Sequence, residues 1–177
     1  MIDIIYAQGD DALDNAGRII FEPLSFFPNM EPMQFRISNF DIPEFTIGSY
    51  EVKYKSQKFT KPNGSMESGN TFTFSFRMDK YYSIYQNLMA WKQLIANDET
   101  GAMSEDVSPI TGKSLLRTNF SVATEDANGI VTSPGWTFEK SFIKTLGGIS
   151  FDQTSDGEPL ICQVTLEYVK CIPGSDA

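Results

Sequence analysis

The chain has 177 residues, of which 41% are hydrophobic and 13% aromatic, so it is long and apolar enough for one packed globular domain. Its net charge of −9 argues against a protein that binds nucleic acid through the phosphates, although nucleic acid could pass such a surface without binding to it. No apolar run approaches the roughly 20 residues of a membrane span, and the N-terminus lacks a basic-then-apolar signal. We therefore expect a cytoplasmic setting and no membrane insertion.

Histidine is absent from the chain, which removes serine–histidine and cysteine–histidine catalysis together with histidine-ligated metals. Thiol chemistry is left to Cys162 and Cys171, which we predict to be buried and unpaired. Glu51, Glu139 and Glu167 fall on predicted strands, where a catalytic pair of carboxylates could be imagined. Nothing in the sequence indicates a pocket around them, so we interpret them as residues on the solvent-exposed (wet) faces of strands. The sequence thus predicts no enzyme, no metal and no cofactor.

Residues 1–29 are predicted to form an N-terminal arm, separate from a domain that spans residues 30–177. The arm begins with a short apolar run at residues 2–6, continues through a polar and acidic stretch, and ends in apolar pairs that prolines interrupt. Its apolar side chains need a surface to cover, which either the same subunit or a neighbouring subunit could supply.

Alternation of apolar and polar residues predicts strands at 33–40 and 47–59. The next segment, residues 59–69, contains the turn-forming sequence Pro62-Asn63-Gly64 and a further glycine. We predict that it is a long exposed hairpin loop. A loop of this length usually has a function or is disordered.

A strand and a helix follow one another within residues 70–97. Phe72, Phe74 and Phe76 alternate with polar residues, which is typical of a half-buried strand. Asp79 is placed to cap the helix that follows. The apolar residues of that helix recur at helical spacing and are predicted to cover a sheet: Tyr81, Ile84, Tyr85, Leu88, Trp91 and Ile95.

Three more strands are predicted in the C-terminal half: residues 115–122, 136–143 and 160–171. In the second of them, strict alternation places Phe138 on one face and Ser141 and Ile143 on the other. The connection over residues 98–113 is polar and shows no internal pattern.

A family resemblance is carried by five segments taken in chain order. They are P-M-Q-F-R-I-S at 32–38, the D-I-P-E-F turn at 41–45, S-I-Y-Q-N-L-M-A-W-K-Q-L-I-A at 83–96, W-T-F-E-K-S-F-I-K-T-L-G-G-I-S-F-D at 136–152, and L-I-C-Q-V-T-L-E-Y-V-K-C at 160–171. In this order the chain resembles the tail tube protein of contractile-tailed bacteriophages, of the long-tailed myophage type. These segments are patterns of fold and assembly rather than catalytic motifs.

The resemblance covers residues 30–171 and implies a mainly β fold, an antiparallel β-sandwich or half-barrel with one flanking amphipathic helix. Six such subunits would close into a ring, and rings would stack into a hollow tube inside a contractile sheath, as a conduit for double-stranded DNA. The secreted tube protein of type VI secretion systems shares this architecture. The implied partners are further copies of the chain, the sheath protein, the baseplate tube initiator and the tape-measure protein. The implied location is the virion tail, after assembly in the host bacterial cytoplasm.

The resemblance also suggests where subunits touch and what the lumen contains. Contacts between rings or subunits are expected at Ile4, Ile5 and Tyr6 of the arm and at Phe59, Lys61, Asn63 and Met66 of the loop. Glu51, Glu139 and Glu167 are candidates for the lumen or another wet face. A hexameric ring would carry about 54 negative charges, and a lumen of that sign would repel DNA phosphates.

Two alternatives remain open at this point. Within the same class, the chain could be a baseplate tube initiator or the tube protein of a type VI or phage-derived particle. From a different class, it could be a monomeric β-sandwich binding module. Electron microscopy separates the two classes, because only the first forms rings or tubes.

Overall fold

The computed structural model describes residues 17–24, 27, 30–66, 70–101, 116–125, 131–151 and 157–174. This part of the chain contains nine strands and two helices. Their bounds are β1 Gly17–Phe21, α1 Glu31–Gln34, β2 Ile37–Asp41, β3 Ile47–Tyr54, β4 Gln57–Met66, β5 Thr71–Arg77, α2 Ser83–Ile95, β6 Thr118–Glu125, β7 Val131–Leu146, β8 Ile161–Glu167 and β9 Lys170–Pro173.

Seven of these strands form one antiparallel sheet in the order β1-β6-β7-β8-β5-β2, with β9 paired to β7 beside this path. Strand β7 is 16 residues long and belongs to both halves of the sheet. One half contains β1, β6 and β9, and the other contains β8, β5 and β2. Its first part pairs with β6 and β9, and its last part pairs with β8. The predicted mainly β, antiparallel fold with one flanking helix is confirmed.

The core is built around phenylalanine side chains from both halves of the sheet. Phe72 lies with its ring centroid 4.8 Å from that of Phe120 and 5.1 Å from that of Phe138, and the last two rings stack at 4.7 Å. Phe74 and Phe76 are also buried, as the alternation in β5 predicted. Offset and tilted ring contacts of this kind add to the free energy of burial.

Helix α2 covers this core with one face. Ile84, Leu88 and Trp91 are buried, and Tyr85 and Ile95 pack against the core while half-buried. The Trp91 indole Nε1 donates a hydrogen bond of 2.8 Å to the Leu116 carbonyl, so its one polar atom is satisfied inside the protein.

The prediction for Tyr81 is wrong, because this side chain is 76% exposed. The helix begins only at Ser83, and Tyr82 before it has a left-handed backbone conformation with φ of 57°. That residue changes the direction of the chain, so Tyr81 does not share the helical spacing on which its assignment rested.

Asp79 caps α2 from four residues before its first turn. Its carboxylate accepts hydrogen bonds from the Ser83 amide at 3.0 Å and the Ile84 amide at 3.2 Å, as well as from the Ser83 hydroxyl. Burial by itself raises the pKa of Asp79, but the hydrogen bonds from Ser83 and Ile84 outweigh it, so the pKa is lowered.

Asp79→Ala is expected to lower the free energy of unfolding by about 1 kcal/mol at neutral pH, because two amides of the first helical turn lose their acceptor. The folded pKa lies below the ordinary aspartate value of about 3.9, so this stabilisation is complete above that value and is lost as the pH falls through the folded pKa. Urea unfolding from pH 7 to pH 2.5 measures the difference. Asp98→Ala, which removes only the exposed ion pair with Lys92, is the control and should cost less than about 0.5 kcal/mol. A difference that persists at the lowest pH would contradict the capping role.

The predicted boundary of the arm is wrong on its C-terminal side. Residues 17–21 are strand β1 of the main sheet and pair with β6. Ile19 and Phe21 are buried in the core, and Leu24 and Phe27 are buried after them. These apolar residues therefore cover their own subunit, while Ile4, Ile5 and Tyr6 lie outside the described residues.

The strand predicted at 33–40 is partly wrong as well. Met33 and Gln34 belong to the short helix α1, and β2 begins only at Ile37. Pro32 fits the first turn of a helix, where its missing amide has no partner to lose. Met33 is fully buried, so the apolar residue found by alternation is in the core but in a different element.

Strand β7 does not keep the strict alternation predicted for it. Lys140 has a φ of 56°. Phe138, two residues before it, and Ser141, directly after it, are both fully buried. Ile143 is buried after them. One residue in a left-handed conformation shifts the alternation by one position, as a β-bulge does, so the prediction that placed Ser141 and Ile143 opposite Phe138 is wrong.

Ser141→Ala is expected to raise the free energy of unfolding by about 1 kcal/mol, because the Ser141 hydroxyl is buried without a hydrogen-bond partner among the described residues. The contrasting variant is Thr118→Val. The Thr118 hydroxyl is also buried but donates to the Glu22 carbonyl at 2.7 Å, so its loss should destabilise by a similar amount. Thermal unfolding of both variants beside the wild type measures the difference. Destabilisation by Ser141→Ala would show that the Ser141 hydroxyl has a hydrogen-bond partner after all.

Candidate functional site

Strands β3 and β4 form a two-stranded hairpin that is separate from the main sheet. Tyr54 pairs with Gln57 across a two-residue turn, and Lys55 in that turn has the positive φ of 56° that tight hairpins require. The prediction of a loop over residues 59–69 is therefore wrong for residues 59–66, because this segment is a paired strand. Pro62 obscured the pattern, yet proline is tolerated in an edge strand, and both strands of a two-stranded sheet are edges.

The two faces of the hairpin differ in chemistry. Residues paired directly across an antiparallel ladder share a face, so the pairs Val52–Phe59, Tyr50–Lys61 and Tyr54–Gln57 lie on one side. We call Tyr50, Val52, Tyr54 and Phe59 the aromatic face. The opposite side carries Ser49, Glu51, Lys53, Lys58 and Thr60, and there the Lys58 ammonium lies 3.5 Å from the Glu51 carboxylate.

The aromatic face is open to solvent in the single subunit. Phe59 is 47% exposed, Tyr50 50% and Tyr54 67%, and Phe45 and Ile47 at the base of the hairpin are exposed too. A two-stranded hairpin is marginally stable by itself in water, and grouped exposed apolar side chains mark a surface for a partner. The hairpin is therefore the candidate site for assembly.

The other predicted contact residues of this segment lie on or beside the hairpin. Lys61 is exposed on the side of the aromatic face, opposite Tyr50. The Asn63 side chain accepts hydrogen bonds from the Ser65 amide at 2.9 Å and the Ser65 hydroxyl at 2.7 Å. Asn63 thus shapes the bend of β4 at Gly64, whose φ is 76°. The backbone of Met66 pairs with Ile47, and its side chain lies outside the described residues.

The three candidate glutamates do not come together. Glu51 lies on the separate hairpin, and Glu167 on β8 forms an ion pair of 2.8 Å with Lys144. Glu139 on β7 is paired in register with Lys170 of β9. The described residues contain no group of three or more metal-ligating side chains, and no helix among them is long and apolar enough to span a membrane.

Cys162 and Cys171 are free thiols. Cys162 is buried and Cys171 is half-buried. Burial raises the pKa of both thiols, so neither is activated as a nucleophile.

The outward face of the half-sheet β7-β8-β5-β2 is rich in hydroxyl and amide groups. The Thr73 and Thr165 hydroxyls lie 3.3 Å apart at its centre. We call the following set the hydroxyl face: Asn39, Thr71, Thr73, Ser75, Gln163 and Thr165. This side carries charges of both signs: Asp41 and Glu167, together with Arg77 and Lys144. Arg36 lies beside Arg77, whose amide donates to the Arg36 carbonyl at 2.8 Å, so this side is not predominantly acidic.

No protein-family model matches the chain, and no curated protein matches it. Among solved structures, a chain of the tube-terminating cap of the anti-feeding prophage has a TM-score of 0.63 at 14% identity, over 94% of this chain and 93% of that chain. A chain of the sheath/tube terminator of the extracellular contractile injection system PVC, in the extended state, has a TM-score of 0.65 at 13% identity, over 94% of this chain and 98% of that one. A chain of the PVC sheath–tube complex in the extended state has a TM-score of 0.64 at 13% identity, over 96% and 95%.

These similarities show the class of fold. The chain has the fold found in tube and tube-terminating assemblies of contractile injection systems. The predicted resemblance to tail tube proteins is confirmed at this level.

Proposed function

We propose that this chain is a structural, non-enzymatic subunit of the tube of a contractile tail or injection particle. Its main support is the aromatic face, which a single subunit leaves without a partner. An exposed row of two tyrosines and a phenylalanine on a projecting hairpin has no evident use in a monomer. In a stacked assembly the same row becomes buried.

Ring formation would use the main sheet. Its terminal strands β1 and β2 each have one strand partner among the described residues, β6 and β5 respectively, so a neighbouring subunit could add to the other edge. Head-to-tail contacts between identical subunits join two different surfaces and close into a ring, and pairing the edges removes an aggregation hazard. The expected ring has six subunits.

Stacking would use the hairpin. The aromatic face, together with Lys61, Asn63 and Met66, would lie against the adjacent ring. The lysines of the hairpin would approach acidic groups of a chain whose net charge is −9. Ile4, Ile5 and Tyr6 of the arm remain candidates for contacts between subunits.

The hydroxyl face is the best candidate for the wall of the lumen. Hydroxyl and amide groups bind water, and neighbouring charges of opposite sign weaken the net attraction or repulsion of a charged polymer. DNA or the tape-measure protein would therefore pass because the wall is hydrated and of mixed charge, rather than because like charges repel. The sheath protein and the baseplate tube initiator would contact the outer surface and the end of the tube.

Negative-stain electron microscopy of the purified chain tests this function. We expect hexameric rings that stack into hollow tubes. Single rings that do not stack would favour a terminator or a baseplate tube initiator, a role that the likeness in fold to tube-terminating caps also supports. Small particles without a central hole at all concentrations, or one tightly bound metal per chain in elemental analysis, would contradict the structural function.

A further inference from the structure

One residue of β6 lies opposite two residues of β7. Asn119 falls between two regular pairs of this ladder and faces both Glu139 and Lys140, and this count defines a β-bulge. The bulge lies where β7 changes its partner on the other edge, from β9, which pairs as far as Glu139, to β8, which pairs from Phe142 onward. It therefore marks the corner between the two halves of the main sheet.

The sequence of β7 needs an extra residue at this corner. Counted from the buried Phe138 without a bulge, Lys140 would point into the core, where an ammonium group is costly. With the bulge, Lys140 is exposed, and Ser141 and Ile143 are buried. On this count either Glu139 or Lys140 could be the residue with the irregular backbone, so a contact outside β7 has to decide between them.

The side chain of Asn119 contacts the bulge on one side and the end of β1 on the other. Its amide oxygen accepts a hydrogen bond of 3.0 Å from the Lys140 backbone N–H, and its NH₂ group donates one of 3.0 Å to the Glu22 carboxylate. A backbone N–H needs an acceptor and a carboxylate needs a donor, and an asparagine amide offers one of each. Aspartate at this position would lack the donor, and leucine would lack both groups.

Glu22, directly after β1, is held within reach of this amide by two further hydrogen bonds. Its backbone N–H donates to the Asn119 carbonyl at 2.9 Å, and its carbonyl accepts from the Thr118 hydroxyl at 2.7 Å. β6 is the strand partner of β1 among the described residues, and a groove of about 670 Å³ lies between β1 and β2. The contacts of Glu22 therefore tie the end of β1 to the corner of β7 through one side chain of β6.

We propose that Asn119 is a positioning residue whose side chain selects Lys140 as the irregular residue of the bulge, and so decides which residues in the second part of β7 face the core. Lysine rarely adopts a φ of 56°, so a specific contact has to offset the cost of that conformation. The Asn119 amide supplies this contact at the Lys140 N–H. This role belongs to the single subunit, so it goes beyond the proposed function and does not depend on tube assembly.

The first test exchanges donor and acceptor between Asn119 and Glu22 in free subunits of the full-length chain. Asn119→Asp keeps an acceptor for the Lys140 N–H but places two carboxylates in contact, so the melting temperature at pH 7 should fall by roughly 2–4 °C. Adding Glu22→Gln returns a donor to the pair and should restore the wild-type value. Asn39→Asp is the matched control, because it adds the same charge at an exposed position of β2, and it should leave the melting temperature unchanged.

The second test follows the inner face of β7. Ser141→Cys places a thiol at a fully buried position, and Cys162, fully buried in β8, serves as the internal reference. Alkylation by iodoacetamide, mapped by mass spectrometry, should label position 141 on the order of tenfold faster when Asn119→Ala is added, with no change at Cys162. Exchange of the Lys140 amide, measured by NMR, should rise by a similar factor in Asn119→Ala.

Three results would overturn the proposal. One is failure of Glu22→Gln to rescue Asn119→Asp. Another is a wild-type rate in Asn119→Ala, either for exchange of the Lys140 amide or for labelling of position 141. The third is equal acceleration at position 141 and at Cys162, because general loosening of the sheet would then explain the labelling. If Asn119→Ala does not fold, the Asn119→Asp variants, which keep the acceptor, decide the question.

Discussion

Phe59→Asp is expected to abolish tube formation while leaving the free energy of unfolding within about 1 kcal/mol of the wild type. Phe59 lies in the middle of the aromatic face, is 47% exposed in the single subunit, and pairs with Val52 across the hairpin. In the free subunit a carboxylate there stays in water. In a stacked assembly it would be buried without a partner at every copy of the interface, which is costly.

Ser49→Asp is the matched control, because Ser49 lies on the same hairpin but on the opposite, polar side. It should assemble as the wild type does. Electron microscopy scores the tubes, and urea unfolding of the free subunits scores stability. Hydrogen exchange should show the hairpin partly protected in the free subunit, because β3 and β4 pair with each other, and more protected in tubes. Tubes of normal length from Phe59→Asp would mean that stacking is carried elsewhere, with the N-terminal arm as the first candidate.

Trp91→Ala is expected to lower the free energy of unfolding by about 3–5 kcal/mol, because it removes the largest fully buried side chain and leaves a cavity under α2. It also leaves the Leu116 carbonyl without the indole donor that now lies 2.8 Å away. For a chain of this length the melting temperature should fall by roughly 6–20 °C.

The control for this variant is Tyr81→Ala, which truncates an aromatic residue just before the same helix. Tyr81 is 76% exposed, so its loss should change stability by less than about 0.5 kcal/mol. Thermal unfolding monitored by circular dichroism compares the two. An unchanged melting temperature in Trp91→Ala would show that α2 does not cover the core.

Several core residues could be predicted from sequence because their burial follows from local periodicity. Phe72, Phe74 and Phe76 alternate over a regular strand, and the same rule places Cys162, Val164 and Leu166 inside β8. Leu88 and Trp91 follow the helical period and are buried. In each of these segments the backbone is regular from end to end, so the spacing of the residues alone predicts which side chains are buried.

Local periodicity fails where one residue breaks the regular backbone. Lys140 moves Ser141 and Ile143 to the inner face of β7, and Tyr82 separates Tyr81 from α2. No pattern in the sequence marks Lys140 as the position with a positive φ, since lysine is not a residue that favours it. The Lys140 amide donates a hydrogen bond of 3.0 Å to the Asn119 side chain on β6, a long-range contact that local spacing does not record.

The sequence by itself determined the mainly β class, the covering helix, the alternating core strands and the acidic charge, because these depend on composition and on short-range spacing. Only the tertiary structure decided that residues 17–21 complete the main sheet, that β3 and β4 stand apart as a hairpin with one aromatic face, and that a groove separates β1 from β2. Each of these features depends on which edges of distant strands meet. Pairing of that kind is set by contacts between segments far apart in the chain, which a local pattern does not record.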